Sequence, residues 1–170
     1  MVSAGSIPAR TIERETFWKP GVRVHVYTVK VCENGDVFWY NAEGDLHRVD
    51  GPAVDWASGS KEWHRDGKRH REDGPAVEGA DGSKEWYVDG KRHRVDGPAI
   101  EEADGYKAWF RDGKRHREDG PAVELANGIK WWYLDGETFS EAEFNARIIE
   151  KSRPCVGKTV VVDGVEYTLT

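Results

Sequence analysis

An apolar run long enough to cross a bilayer is missing from the chain, which excludes a transmembrane helix. Residues 1–17 carry Arg10, Glu13, Arg14 and Glu15 and lack an apolar stretch, so a secretory signal is not expected. Cysteine is nearly absent: Cys32 and Cys155 are isolated, form no CxxC pair, and have a spacing that demands no bridge. Without an export signal, the expectation is a cytoplasmic protein with two free thiols. Methionine and leucine are scarce, which argues against a thick leucine-rich core. The net charge is -6 with 33% charged residues, a balance that favours solubility and disfavours membrane association or direct nucleic-acid binding. No G-x-S-x-G, H-E-x-x-H, P-loop or G-x-G-x-x-G is present. The chain is therefore expected not to be an enzyme and to need no cofactor.

What the chain does have is repetition. His47, His70, His93 and His116 lie 23 residues apart. Each is followed by arginine (Arg48, Arg71, Arg94, Arg117) and, three residues on, by Asp-Gly-Pro-Ala starting at Asp50, Asp73, Asp96 and Asp119. Trp63, Trp86, Trp109 and Trp132 keep the same period, as do Gly59, Gly82, Gly105 and Gly128. Gly44, Gly67, Gly90, Gly113 and Gly136 form another such series. Tandem units of this size stack on their neighbours, and atypical units cap the stack. The ends fade as capping requires. One residue is inserted between Trp39 and Gly44, and Glu137-Thr138-Phe139 replaces Lys-Arg-His after Gly136.

Within a unit, Ala80-Asp81-Gly82 separates two short β-prone segments, residues 75–78 and 84–88, and predicts a hairpin. Asp89-Gly90 predicts a second turn, and Asp96-Gly97-Pro98 a third, with Pro98 at a strand start or edge. Alternation puts Lys84, Trp86 and Val88 on one face and Glu85 and Tyr87 on the other. Outside the array, residues 21–31 alternate valines and predict a strand, turned by Asn34-Gly35 into a hairpin cap. Ser140-Glu141-Ala142-Glu143 is a capping box. Phe144, Ile148 and Ile149 follow at helical spacing, so a helix over 141–151 is expected to cover the open sheet end. Residues 158–169 predict a final hairpin around Asp163-Gly164. The fold class is thus mainly β: an elongated antiparallel sheet of tandem 23-residue hairpin repeats. Its parts are an N-terminal segment and capping strand (1–33), the array (34–136) and a C-terminal helix plus hairpin (137–170).

The run Asp-Gly-Lys-Arg-His, with an aromatic about four residues before the Gly-Lys and Ala-Asp-Gly further on, resembles a MORN repeat. The resemblance is best over 66–132 and extends more weakly back to Trp39. MORN units usually carry glycine after the histidine, whereas Arg71-Glu72-Asp73-Gly74-Pro75 stands here, as in the variant form of bacterial and phage proteins. The resemblance implies an open hairpin sheet and a role in protein interaction or assembly.

Candidate binding residues each have a structural alternative. Arg48, Arg71, Arg94 and Arg117, with His70, His93 and His116, could form a cation row that grips carboxylates or phosphates. The structural reading, preferred because every unit repeats them beside an acid, is that they bond their own Asp-Gly-Pro turns. Equivalent histidines would lie roughly 10 Å apart, given strands about 4.8 Å apart, too far to share a metal; His64 near His70 is the isolated exception. The tryptophan ladder could be a stacking platform, but an aromatic stripe in a repeat is more often its core. Tyr87, Phe110 and Trp131, on the opposite face, are then the candidates for an exposed aromatic surface.

The leading expectation is a non-enzymatic scaffold that binds a protein partner through one face or edge, with a phage or bacterial inhibitor or adaptor acting by steric occlusion in the host cytoplasm as its concrete form. Self-pairing into a homodimer is one way to cover open edges. The alternative is a sponge that holds a small anionic ligand, such as a nucleotide signal, on the arginine and histidine rows.

Overall fold

The computed structural model describes residues 27–152 and the backbone of 159–162 and 165–168. It is mainly β. Eleven strands make one long antiparallel sheet, and one helix, Glu141–Ser152, follows the array. The N-terminal hairpin pairs Thr28–Val31 with Val37–Tyr40. The part of the expected first strand before Tyr27 lies outside the described residues, as do Cys155 and the Asp163-Gly164 turn. The final hairpin pairs Thr159–Val162 with Val165–Thr168.

Each repeat supplies two hairpins, one more than the period suggested. The first belongs to the long sheet, as in Val77–Glu78 with Lys84–Glu85. The second is short, as in Tyr87–Val88 with Lys91–Arg92. The expected strand over 84–88 is therefore split, and Trp86 is the joint. Its N–H donates to the Ala99 carbonyl (2.9 Å) beside the long sheet, while its carbonyl accepts from the His93 N–H (3.1 Å) beside the short hairpin. Trp39, Trp63 and Trp109 make the same two bonds with Ala53 and His47, Ala76 and His70, and Ala122 and His116. The alanines are fully buried.

The short hairpins turn on aspartate and glycine with positive φ at both residues, 49° and 78° at Asp89-Gly90. That is the type I′ geometry whose twist suits a two-residue loop, and Asp-Gly is among the pairs that tolerate it. Neighbouring short hairpins are tied together as well: Gly90 N–H donates to Arg69 O and Gly113 N–H to Arg92 O, both at 2.9 Å.

Register fixes which residues share a face. One row across the long sheet runs Phe38, Val54, Glu62, Val77, Glu85, Ile100, Ala108, Val123, Trp131. Its partner row, on the opposite face, runs Asp55, Lys61, Glu78, Lys84, Glu101, Lys107, Glu124, Lys130. The first row carries the core, a cluster of Ala99, Ile100, Ala108, Phe110 and Val123 flanked by half-buried Trp86, Tyr106, Leu125 and Tyr133. The second alternates acid and lysine without a break, so each residue between its two ends faces an opposite charge on both neighbours.

The alternation of faces is as expected, but burial is the reverse of what the tryptophans suggested. Tyr87 and Phe110 are 8% exposed and belong to the interior, whereas Trp63, Trp86 and Trp109 are only half-buried. The expected exposed surface of Tyr87 and Phe110 therefore does not exist. Trp131 is exposed, because it ends its row and no further unit covers it.

The helix follows its capping box. Ser140 N–H donates to Glu143 Oε2 at 2.9 Å, and Glu143 N–H donates to Ser140 Oγ at 3.3 Å. Phe144 is buried and Ile148 half-buried, one turn apart on one face, while Ile149 turns out to solvent.

Candidate functional site

The four predicted arginines form an outer row, and each is held the same way. Arg94 stacks over the Trp86 ring at 3.9 Å, and its Nη1 donates to Pro98 O at 3.1 Å and to Glu101 Oε1 at 2.8 Å. Its Nε lies 3.5 Å from Asp96. Arg71 stacks over Trp63 at 4.0 Å and reaches Asp73, Pro75 O and Glu78 at 3.0, 3.1 and 2.9 Å. Arg117 stacks over Trp109 at 4.0 Å and reaches Asp119, Pro121 O and Glu124 at 2.9, 3.2 and 3.3 Å. Arg48 stacks over Trp39 at 4.2 Å and donates to Asp50 and Pro52 O. A planar guanidinium can stack and fork at once, which lysine cannot. The Asp-Gly-Pro turn is thus clamped to the tryptophan corner, and the carboxyls of Asp73 and Asp119 are held below their ordinary range chiefly by Arg71 and Arg117.

The histidines bridge units. Asp89 N–H donates to His70 Nδ1 at 3.2 Å, and the Asp89 carboxylate lies 3.0 Å from the same nitrogen. His47, His93 and His116 repeat this with Asp66, Asp112 and Asp135. A neutral Nδ1 accepts from the amide, whereas a protonated one donates to the carboxylate, so either state keeps the bridge. His64, the isolated exception among the histidines, bonds within its own unit. It is buried and bonds Glu62 at 3.0 Å. Among the described residues no group of His, Cys, Asp and Glu could hold a metal ion.

A second arginine row lies on the inner face, and the sequence reading passed over it. Arg69, Arg92 and Arg115 pair across the short hairpins with His64, Tyr87 and Phe110. Arg92 lies over Tyr87 at 5.6 Å and Phe110 at 5.7 Å, and Arg115 lies over Phe110 at 5.8 Å and Tyr133 at 5.4 Å. Glu62 receives Arg69 Nε at 3.0 Å, and Glu85 receives Arg92 Nε at 3.0 Å and the Tyr87 hydroxyl at 2.8 Å. The Glu62 carboxyl is held down at about 2, first by its bond to His64 and then by Arg69, against the opposing effect of burial. In the next unit Ala108 occupies the glutamate position, and Arg115 has no carboxylate partner among the described residues. The 23-residue recurrence of Lys-Arg-His carried this row in plain view, and the change from Glu62 and Glu85 to Ala108 marked its break.

Neither models of known protein families nor curated proteins match the chain. No helix among the described residues is long and apolar enough to cross a membrane.

Beside Arg115 lies a cleft of about 500 Å³. Arg92, Tyr106, Phe110, Arg115 and Leu125 line it, and Glu102 and Asp104 stand at the same opening.

Proposed function

We propose that the chain is a non-enzymatic protein-binding scaffold whose contact surface is the long sheet's charged face. The observation that carries this is the unbroken row Asp55, Lys61, Glu78, Lys84, Glu101, Lys107, Glu124, Lys130, with Lys84, Lys107 and Lys130 exposed. A regular array of alternating charge, held on a sheet whose turns are clamped, meets a protein surface of complementary pattern with little ordering cost. Occupying such a surface blocks it to others, so the mechanism is steric occlusion. The MORN-like repeat is consistent with this role, and its variant form fits a phage- or bacteria-encoded inhibitor or adaptor in the host cytoplasm. A homodimer through the same face is one form such binding takes.

Engagement of Arg48, Arg71, Arg94 and Arg117 by their own units counts against the anionic-ligand sponge, because binding there would have to displace internal carboxylates and ring contacts. The test compares capture of partners by the wild-type chain with capture by Lys84→Glu/Lys107→Glu, both checked for folding by circular dichroism. The scaffold reading expects a saturable protein partner that the double variant loses, and light scattering above 19.2 kDa if that partner is a second copy. Binding that ignores the charge reversal, or a thermal shift with nucleotides that vanishes in a stable Arg94→Gln variant, would favour the sponge instead.

A further inference from the structure

The inner arginine row has a rule and one departure from it. Glu62 neutralises Arg69 and Glu85 neutralises Arg92, each across a 3.0 Å bond. At the third step Ala108 replaces the acid while the arginine stays, flanked by the Phe110 and Tyr133 rings as Arg92 is by Tyr87 and Phe110. The cleft lined by Arg92, Tyr106, Phe110, Arg115 and Leu125 lies beside this arginine.

Two further changes fall on the same spot. Tyr106 stands where Ser60 and Ser83 stand in earlier units, and Leu125 stands where Gly79 and Glu102 do. Both are half-buried against the core, so they add an apolar wall to the cleft that Arg115 lines. The Tyr106 hydroxyl makes no hydrogen bond among the described residues. Glu102 and Asp104, both exposed, also line the cleft and repel a phosphate dianion or a polyanion more than a single carboxylate.

We propose that the cleft beside Arg115 binds a monocarboxylate carried on an apolar body, the ligand's carboxylate taking the place that Glu62 and Glu85 hold in the earlier units. The guanidinium supplies a planar pair of donors, the Tyr106 hydroxyl a third donor, and Leu125 and the Phe110 ring the apolar contact. The proposal does not rest on the scaffold reading. The carboxylate can arrive on a small organic acid or on a glutamate side chain of a peptide, and the two are separable.

The experiment follows the arginine Nε–Hε signals of the ¹⁵N-labelled full chain during titration. The probes are 3-phenylpropionate, its neutral isostere 3-phenylpropanamide, and the capped peptide acetyl-Leu-Glu-Leu-amide. A saturable shift of the Arg115 signal with the acid or the peptide, and none with the amide, is the expected result. The tighter of the two identifies the source. Ala108→Glu rebuilds the repeat's own ion pair and should weaken binding by about tenfold or more, since a charged hydrogen bond is contested from within. Arg115→Gln, at an exposed side chain, keeps the fold and should lose binding by a similar factor, read from the Nε–Hε signal of Arg92 in the same cleft. No saturable shift with either carboxylate, an equal response to the amide, or undiminished binding by Arg115→Gln would overturn the proposal.

Discussion

The two arginine rows use one residue type in opposite ways. In the outer row every arginine meets the same partners in every unit: a tryptophan ring beneath, the aspartate and proline carbonyl of its turn and, for Arg71, Arg94 and Arg117, a glutamate of the long sheet. In the inner row the acid partners change along the array, from Glu62 to Glu85 to no carboxylate among the described residues. Uniform engagement marks what the repeat needs to fold. A position that varies while its neighbours do not is where a repeat array can specialise.

The largest effects should come from the interior that the inner row flanks. Phe110→Ala removes a buried ring and should cost about 3–5 kcal/mol in a denaturant titration, the range for large aromatic truncations. A loss under about 1 kcal/mol would return the core to the tryptophan side. Next, Arg94→Ala removes charged hydrogen bonds to Glu101 and the Pro98 carbonyl together with a stacked cation, and should cost about 2–4 kcal/mol. A double-mutant cycle with Trp86→Ala should show a coupling of about 1 kcal/mol, the size of a cation–π contact. Additive losses would mean that the ring and guanidinium merely lie near each other.

Much of the outer row was legible in the sequence. Its period, the Asp-Gly turns and the capping box at Ser140 follow from residues that have one geometric use. Which face is buried was not legible, because both alternating faces carry aromatics: Trp86 on one, Tyr87 on the other. The larger ring suggested the core, but an arginine lid covers the tryptophans and leaves them half-buried. The inner ion pairs were hidden for a related reason. Glutamate and arginine read as solvated unless they are known to neutralise each other, and Glu85 meets Arg92 only once the chain has turned the Trp86 corner. The split of 84–88 into two strands also escaped notice, since the pattern of alternation continues through the corner.

A smaller effect concerns pH. The Glu62 carboxyl is lowered from 4.5 to about 2 in the folded chain. The stability it contributes is present above its unfolded value and is lost as pH falls from about 4.5 towards 2. Because the group is only partly buried, solvent screening leaves about half of the nominal effect, and about 1–2 kcal/mol is expected. Glu62→Gln should flatten the stability profile in that window, and an unchanged slope would show that the ion pair does not hold in solution.

The most direct test of the contrast between the rows compares unfolding free energies of Arg71→Gln, Arg94→Gln and Arg117→Gln with that of Arg115→Gln under one set of conditions. The account predicts losses of about 2–3 kcal/mol for each outer substitution, from broken charged hydrogen bonds, and less than about 0.5 kcal/mol for Arg115→Gln, the range of an unpaired surface residue. Equal losses in the two rows would contradict it.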